Sequence, residues 1–263
     1  MFVVIRGAGD IATGVALRLW RAGLEVVLTD IPKPTAIRRT VCFSEAIRLG
    51  ETQVEDVRAR KVMPEKVRVM LDEGLIPVLV DPQGTAIGEL CPDAVVDAIL
   101  AKRNLGTTIG MAPIVIGVGP GFTAGVDCHA AVETMRGHYL GRVLYEGSPI
   151  PNTNIPGLIG GFAGERVLRA PADGLFRSTR RIGDLVEEGD TVGFAGDVPM
   201  KCTISGVLRG LLADGIPVTK GMKSGDVDPR GEAAYCFTVS DKASAVGGGV
   251  LEALLHLSCK RGR

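Results

Sequence analysis

Residues 2–14 read FVVIRGAGDIATG, and this stretch decides the fold of the amino-terminal part. It opens with a β-branched apolar run, which is typical of a buried parallel strand. A Gly-x-Gly-x-x-Ala turn follows, then an apolar stripe at helical spacing, and Gly23 ends that helix. Residues 25–30 read EVVLTD and form a second apolar strand that ends on an acid. This order of elements predicts a Rossmann-like α/β fold with a mostly parallel sheet.

The glycine turn predicts a binding site for a dinucleotide. Gly7 allows the tight turn, Gly9 lets a pyrophosphate approach the backbone, and Ala12 lets the helix lie close to the strand. Asp30 follows at roughly the 20-residue spacing of an acid that binds a ribose 2′-hydroxyl. The predicted cofactor-binding residues are Gly7, Gly9, Asp10, Ala12, Thr13, Gly14 and Asp30.

A basic loop follows Asp30 and contains Lys33, Arg38 and Arg39. It leaves the carboxyl end of the second strand, where open α/β sheets bind ligands, so it either faces an anion or is a solvated loop. Because an arginine there can receive a 2′-phosphate, NADP stays open beside NAD. The alternative is a Rossmann-like fold that serves as a scaffold without a nucleotide.

The composition limits the classes of function. The 263 residues are 46% hydrophobic, which is enough for a full core, and 30 basic residues balance 30 acidic ones. This balance predicts neither a nucleic-acid partner nor an anionic membrane partner. No apolar run is long enough to span a bilayer, and no signal-peptide pattern precedes the first strand. Six cysteines without a Cys-x-x-Cys pair suit a reducing cytoplasm, where we expect the protein to act.

A second glycine-rich turn, GVGPGFTAG over residues 117–125, leads into Asp127-Cys128-His129. We predict a strand over 126–134, in which Asp127, His129 and Glu133 share one face. A histidine beside acids can act as a general base or as a metal ligand. No second pair of ligands has metal spacing, so no metal site is predicted.

The predicted catalytic residues are Cys42, Cys128 and His129. Basic neighbours can lower the thiol pKa of Cys42 and make it a thiolate. The alternative is that Cys42 is a small buried core residue, since free cysteine is among the most buried residue types.

Further elements follow from apolar patterns and proline positions. Helices are predicted over 64–73 and 92–102, and strands over 76–81 and 114–118. A last helix over 242–257 contains three consecutive glycines, which weaken a helix, so we expect another element to approach closely there. We expect this helix to return to the first sheet and to make the first domain discontinuous.

An internal repeat marks the second part of the chain. The pattern Gly-x-x-Val-x-x-Gly at Gly183 recurs at Gly215, 32 residues later, so the halves 167–198 and 199–230 repeat one β-unit. Neither half is large enough to bury its own apolar face, so we expect the halves to interlock. At the end of the repeat, residues 226–230 form either a solvated turn or a site that faces the crevice of the first domain.

The repeat is similar to the biotinyl/lipoyl-like barrel-sandwich hybrid. Carriers of that type display a lysine at the hairpin between the halves, whereas residues 195–197 here read AGD. The module is therefore expected to be structural or ligand-binding. The predicted domains are 1–157 plus 240–263, Rossmann-like, and 165–238, a small β barrel-sandwich-hybrid-like domain.

Three stretches together resemble a known family: RGAGDIATG at 6–14, the block over 117–129, and KSGDVDPR at 223–230. The chain resembles the YqeB-type accessory proteins of the selenium-dependent molybdenum hydroxylase system over nearly its whole length. The resemblance implies a role in maturing a molybdenum hydroxylase apoenzyme, whose molybdopterin cofactor needs a terminal sulfur or selenium. It implies no reaction and no catalytic residue.

Three hypotheses of function remain open, and with them whether the chain catalyses a reaction. The first is an accessory protein that binds NAD(P) or a molybdopterin dinucleotide, with Cys42 or Cys128 handling sulfur or selenium. The second is an NAD(P)-dependent oxidoreductase with His129 or Lys201 as proton donor. The third is a non-catalytic docking module. The oligomeric state stays open, with a homo-oligomer among the alternatives.

Overall fold

The computed structural model describes residues 1–153 and 155–261, and the chain forms two compact units. Unit 1 comprises Met1–Pro34, Phe43–Thr153 and Val239–Arg263. Unit 2 comprises Thr35–Cys42 and Asn154–Thr238. The predicted first domain, 1–157 plus 240–263, includes residues 154, 262 and 263. These three residues lie outside the described ones.

Unit 1 is a mixed α/β unit built on a large, mostly parallel sheet, as the sequence predicts. Its strands are β1 (Phe2–Arg6), β2 (Glu25–Asp30), β3 (Glu51–Val54), β4 (Val57–Lys61), β5 (Ile76–Val80), β6 (Ala94–Asp97), β7 (Ile114–Val118), β8 (Ala130–Val132) and β9 (Val143–Leu144). They lie in the order β3-β4-β5-β2-β1-β6-β7-β8-β9. The pairs from β4 to β8 are parallel, and the edge strands β3 and β9 are antiparallel to their neighbours.

The helices of unit 1 connect and cover these strands. They are α1 (Asp10–Arg21), α2 (Glu45–Leu49), α3 (Val67–Asp72), α4 (Ala86–Leu90) and α5 (Asp241–Arg261), and the 3-10 turn η2 (Pro64–Lys66) leads into α3. All five residues of β1 are buried, as expected for a parallel strand that is covered on both faces. The predicted elements over 2–30, 64–73, 76–81 and 114–118 are confirmed, apart from one or two residues at their ends.

The carboxyl-terminal helix α5 packs on α1 and on β7, β8 and β9. A Cβ atom on Gly247 would stand 2.9 Å from the Gly14 carbonyl oxygen, and one on Gly249 would meet the Gly141 carbonyl oxygen. The close approach expected from the glycine run is therefore confirmed at two of its three positions. The third, Gly248, has no neighbour within 4 Å of a Cβ. No helix among the described residues is long and apolar enough to cross a membrane.

Two predicted elements are wrong. Residues 92–102 do not form a helix, because Ala94–Asp97 is the strand β6 between β1 and β7. A short apolar run fits a buried strand or a buried helix equally well, and periodicity alone does not separate them. The strand predicted over 126–134 is only Ala130–Val132, so residues 127 and 129 precede it.

Unit 2 consists of two antiparallel four-stranded sheets in the described residues. Its strands are β10 (Val167–Arg169), β11 (Gly174–Ser178), β12 (Leu185–Val186), β13 (Thr191–Ala195), β14 (Val198–Lys201), β15 (Gly206–Leu211), β16 (Pro217–Val218) and β17 (Lys223–Asp228). The sheet orders are β10-β17-β15-β12 and β14-β13-β11-β16. Two 3-10 turns belong to the same unit, η1 (Arg39–Val41) and η3 (Ala233–Cys236).

The sequence repeat is visible in these sheets. At the same spacing of 32 residues, the strands β10 to β13 of the first half correspond in order to β14 to β17 of the second half. If each strand is replaced by its counterpart in the other half, the order of one sheet becomes the order of the other. Each sheet takes strands from both halves, since β12 pairs with β15 and β16 pairs with β11. One core contains equivalent residues of the two halves, among them Phe176 and Leu208. The expected interlocking is confirmed, and it explains how such small halves bury an apolar face.

Candidate functional site

Charged residues stand in a row at the carboxyl edge of the parallel sheet of unit 1. Arg6, Asp30 and Asp97 end the strands β1, β2 and β6, and Asp81 directly follows β5. These strands are neighbours in the order β5-β2-β1-β6. The strand β2, which follows β1 in the chain, lies on one side of β1, whereas the later strand β6 lies on its other side. The direction in which strands are added to the sheet therefore reverses at β1. Open α/β sheets bind their ligands at such a reversal.

The glycine turn between β1 and α1 lies at this reversal. Gly7 has φ +98°, and a Cβ there would stand 2.9 Å from the Ala98 carbonyl oxygen, so the position requires glycine. Gly9 precedes the 12-residue helix α1 with φ −70°, and a Cβ there would meet nothing within 4 Å. The backbone at Gly9 therefore borders open space at a helix N-terminus, where the helix dipole favours an anion.

Carboxylates of the chain itself already use part of this turn. Asp30 Oδ2 accepts from the Ala8 N–H at 2.9 Å, and its Oδ1 accepts from the Ile31 N–H at 2.7 Å. Asp10 Oδ1 accepts from the Ile11 N–H at 3.0 Å. The cradle for a diphosphate is thus smaller than the motif predicts, and a ligand at Gly9 meets two acidic groups.

Asp30 is also harder to ionise than an exposed aspartate. Burial raises its pKa above the ordinary value, and the two hydrogen bonds from Ile31 and Ala8 offset only part of this shift. The carboxylate can still accept hydrogen bonds from hydroxyl groups when it is ionised. Burial therefore disfavours the charged form of Asp30, the residue that the sequence assigns to a ribose.

The remaining residues of the motif pack inside unit 1. Ala12 and Thr13 are fully buried. Thr13 Oγ1 donates to the Ala8 carbonyl at 3.3 Å and accepts from the Phe43 N–H at 2.9 Å. A Cβ on Gly14 would lie 2.5 Å from the Ala243 Cβ, so Gly14 lets α5 approach α1. These contacts hold the turn in place, and direct ligand binding by the three residues stays a prediction.

Sequence reasoning gave no role to Arg6, which forms a buried ion pair at the sheet edge. Its Nη1 lies 3.2 Å from Asp97 Oδ2 and also donates to Thr107 Oγ1. The Thr107 hydroxyl donates to the same Asp97 oxygen at 2.5 Å, and Arg6 Nη2 donates to the Leu105 carbonyl at 3.4 Å. This network ties the loop over 98–113 to the end of β1. The sequence feature that could have pointed to Arg6 is a charged residue at the end of an apolar strand.

A pocket of about 390 Å³ opens at the ends of β4 and β5, and its lining includes Val80, the residue that pairs with Asp30 on the neighbouring strand. Apolar side chains form much of its wall, among them Val62, Met63 and Leu79, and Pro32 from the loop after β2 also lines it. Asp81 at its edge is buried and accepts from the N–H groups of Thr85 and Ala86, so its carboxylate orders the start of α4. A second cavity, of about 500 Å³, lies at the opposite edge of the sheet, at the amino ends of β6 and β7.

The predicted catalytic residues of unit 1 lie in the segment before β8. Cys128 is fully buried, and burial raises its pKa to about 11, so its side chain is a thiol at neutral pH. A buried, protonated thiol is a poor nucleophile. His129 Nδ1 accepts from the Val115 N–H at 3.0 Å, so the backbone of β7 holds this ring nitrogen.

The acids beside this histidine do not form the predicted strand face. Asp127 Oδ2 accepts from the Thr123 N–H at 2.9 Å and so orders a turn. Glu133 is buried and accepts from the N–H groups of Thr134, Met135 and Ile150 at 2.6 to 2.7 Å. Among residues 1–153 and 155–261, no group of three or more His, Cys, Asp or Glu side chains is arranged to hold a metal ion.

Cys42 belongs to unit 2, whereas Cys128 and His129 belong to unit 1. Its side chain is fully buried, and Sγ donates to the Arg38 carbonyl at 3.0 Å. The expectation of a core cysteine describes this environment better than the expectation of an accessible thiolate. A catalytic role for these three residues stays a prediction.

No family model matches the chain. A search of curated proteins finds the uncharacterized protein YqeB of Escherichia coli K12, which is 55% identical over 256 residues. The chain is similar to YqeB. The match includes 97% of this chain and 47% of that protein, so the chain spans about half the length of the curated relative it matches. The resemblance is confirmed as a sequence relationship, and the name of the relative carries no activity.

Solved structures give only distant matches. An aspartoacylase family protein from Mesorhizobium loti is 11% identical, with 86% of this chain and 84% of that chain covered and a TM-score of 0.28. The product-bound ectoine utilization protein EutE from Ruegeria pomeroyi is 10% identical, with 77% and 57% covered and a TM-score of 0.25. At such TM-scores nothing about this chain follows from these proteins.

Proposed function

We propose that this chain is an accessory protein that helps to mature a selenium-dependent molybdenum hydroxylase in the cytoplasm and binds a nucleotide-bearing cofactor at its glycine turn. The observation that carries nucleotide binding is the open space at Gly9, directly before α1 and beside the reversal of strand order. The resemblance to YqeB-type accessory proteins supports the hydroxylase apoenzyme as partner.

The sheet of unit 1 supports a Rossmann-like classification. Of its seven parallel strands, β4, β5, β2 and β1 lie on one side of the reversal, and β6, β7 and β8 lie on the other. Without the outer strand β4, the six strands β5-β2-β1-β6-β7-β8 follow 3-2-1-4-5-6 when they are numbered by their order in the chain, which is the order of dinucleotide-binding folds. The edge that carries the glycine turn is the edge at which such folds bind their ligands.

Three neighbouring features suit the three parts of a nucleotide. The open backbone at Gly9 suits a phosphate, and the ionised Asp30 carboxylate suits ribose hydroxyls. The pocket at the ends of β4 and β5, with Met63 and Leu79 in its wall, suits a base. NAD, NADP and a molybdopterin dinucleotide all contain these parts. Asp10 and Asp30 add negative charge, so we expect the dinucleotide affinity to be moderate.

The substitution Gly9→Val tests this proposal with little risk to the fold. Gly9 has a negative φ and nothing within 4 Å of its Cβ position, so valine fills only the space assigned to the ligand. We expect calorimetric titration with NAD and NADP to give micromolar-to-millimolar binding to the unmodified chain and at least tenfold weaker binding to the variant. Gly110→Val is the matched control, because Gly110 also has open space around a Cβ.

Native mass spectrometry of freshly purified protein detects a retained ligand without any choice of ligand beforehand. A retained dinucleotide or pterin mass that is lost in Gly9→Val and kept in Gly110→Val supports the proposal. Equal binding by both variants contradicts a ligand at the turn. For the hydroxylase role, we expect Gly9→Val to lower hydroxylase activity in cells that depend on this chain, and unchanged activity would contradict it.

For unit 2 we propose a barrel-sandwich-hybrid-like module without a carrier function. The interlocked halves support the architecture, and the turn between β13 and β14 has no lysine; the nearby Lys201 is the last residue of β14. The alternatives are an NAD(P)-dependent oxidoreductase with His129 or Lys201 as proton donor, and a docking module without catalysis. Hydride transfer from NAD(P)H would favour the first, and hydroxylase copurification with an empty turn would favour the second.

A further inference from the structure

Unit 2 holds a set of charged side chains around β15 and β17, which we name the arginine cluster. Three of its four arginines and both of its aspartates are buried, and the fourth arginine reaches the surface. The members are Arg38, Arg166, Arg209, Asp226, Asp228 and Arg230. Burying this much charge is costly unless the groups have a use or complete partners.

The ion pairs of the cluster engage both of its carboxylates. Arg166 Nη1 lies 2.7 Å from Asp226 Oδ1. Arg230 donates to both oxygens of Asp228, from Nε to Oδ1 at 2.9 Å and from Nη2 to Oδ2 at 2.6 Å. Arg209 Nη1 lies 3.2 Å from the same Oδ2. Three guanidinium groups therefore contact two carboxylates. Arg209 Nε is buried and has no hydrogen-bond partner in the part of the chain that the structure describes.

The repeat provides an internal comparison for this cluster. At the spacing of 32 residues, Arg209 corresponds to Arg177 and Asp226 corresponds to Phe194. Arg177 is exposed, and its guanidinium lies 4.9 Å from the centre of the Phe194 ring. The same architecture thus accepts an arginine on an aromatic ring in one half. The buried charges of the other half are not a requirement of the fold.

The backbone differs between the halves at the same place. In the first half, Arg177 pairs directly with Phe194. In the second, Leu208 pairs with Val227 and Gly210 pairs with Asp226, so Arg209 is the extra residue of a β-bulge. Bulges turn a side chain in a new direction and are enriched near functional sites. The bulge and the unpartnered Nε are therefore two separate observations at one residue.

A strap from the 35–42 segment completes the cluster. The Leu211 N–H donates to the Ile37 carbonyl at 2.8 Å, which lays the strap beside β15. Arg38 is buried and donates to the Tyr235 carbonyl at 3.2 Å. Arg230 is half-exposed and lies 4.4 Å from the ring centre of Tyr235, so these two side chains form the rim.

We propose that the arginine cluster binds a tetrahedral oxyanion, either free or as the phosphate group of a larger molecule, with Arg209 and Arg38 inside and Arg230 at the rim. The guanidinium fork matches the oxygens of a phosphate, and an oxygen of the anion would accept from the buried Arg209 Nε–H, which has no partner among the described residues. Burial and the neighbouring Arg38 lower the pKa of Arg209, and a bound anion reverses that effect.

Thermal unfolding of the full chain tests the site with inorganic phosphate and with glycerol phosphate, against chloride at equal ionic strength. At a hundredfold excess over Kd we expect the unfolding midpoint to rise by about 5 °C. Arg209→Met and Arg230→Gln should each weaken binding at least tenfold. Arg230→Gln matters separately because its side chain is at the rim, and glutamine can keep a hydrogen bond to the buried Asp228. Arg177→Met is the matched control in the other half and should keep the full shift.

The outcomes distinguish a free oxyanion from the phosphate group of a larger molecule. They also distinguish binding at the arginine cluster from binding at the glycine turn. A shift with both probes supports a free oxyanion, and a shift with glycerol phosphate alone supports the phosphate group of a larger molecule. Gly9→Val should keep the shift, because the cluster lies in unit 2. No shift in the unmodified chain, or equal shifts in the Arg209, Arg230 and Arg177 variants, overturns the proposal. Loss of the shift in Gly9→Val alone assigns the anion to the glycine turn and also overturns it.

Discussion

At the scale of single residues, burial decides which cysteines are available for chemistry. Cys42, Cys128, Cys202 and Cys236 are buried, whereas Cys91 and Cys259 are exposed. Burial raises the pKa of Cys128 and of Cys202 to about 11. The basic neighbours of Cys42 in the sequence suggested an accessible thiolate, but sequence neighbours do not determine burial.

We therefore expect selective alkylation of the native protein. Iodoacetamide at pH 7.5 should modify Cys91 and Cys259 within minutes and leave the four buried thiols unmodified over the same time. Peptide mass spectrometry identifies the sites, and denatured protein, in which all six should react, is the control. Rapid modification of native Cys128 would contradict the buried thiol and restore it as a candidate sulfur handler.

The two acids at the glycine turn should have opposite effects on a dinucleotide. Asp10→Asn removes a negative charge beside the assigned phosphate position, so we expect binding to become about three- to tenfold tighter, as for a partly screened charge. Asp30→Ala removes the acceptor for ribose hydroxyls and should weaken binding about tenfold or more. Calorimetric titration with NAD measures both, and a weaker Asp10→Asn variant would place the ligand elsewhere.

At the scale of secondary-structure elements, the helix pair α1 and α5 depends on glycines at specific positions. A Cβ on Gly247 would press on the backbone of Gly14, whereas one on Gly248 meets nothing within 4 Å. We expect Gly247→Ala to destabilise the protein by about 1–3 kcal/mol through overpacking. Gly248→Ala, the matched control, should stabilise it by about 0.5–1 kcal/mol through helix propensity. Urea unfolding measures both, and equal effects would contradict this packing.

The sequence predicts elements best where a local rule applies. Apolar runs and the glycine turn predict β1, α1 and β2, and the repeat predicts the interlocked sheets of unit 2. The strand β6 was predicted as a helix because its apolar run is short and its neighbours, β1 and β7, are distant in sequence. For the same reason the arginine cluster was not predicted as one set, although Arg38 and residues 226–230 were each candidates for a site. Its strap residue Arg38 and its strand residue Arg209 meet only after folding.

At the scale of the whole molecule, the two units carry separate candidate sites. Unit 1 offers the glycine turn at the reversal of strand order, and unit 2 offers the arginine cluster beside a β-bulge. Both sites suit anionic groups, yet the chain is neutral overall, with 30 basic and 30 acidic residues. Net charge therefore gives no indication of either site, because each depends on a few groups that folding collects.

Hydrogen exchange of the intact chain should locate the two ligands in different units. With saturating NAD, we expect slower exchange in peptides covering 7–14 and 79–86, because bound ligand orders the turn and the pocket wall. With saturating inorganic phosphate, we expect slower exchange in peptides covering 35–42 and 206–230, where the strap and the bulge supply the arginines. Peptides covering 167–180 contain Arg177 and serve as the internal control in both cases. Protection by NAD confined to unit 2, or by phosphate confined to unit 1, would reverse the assignment of the sites.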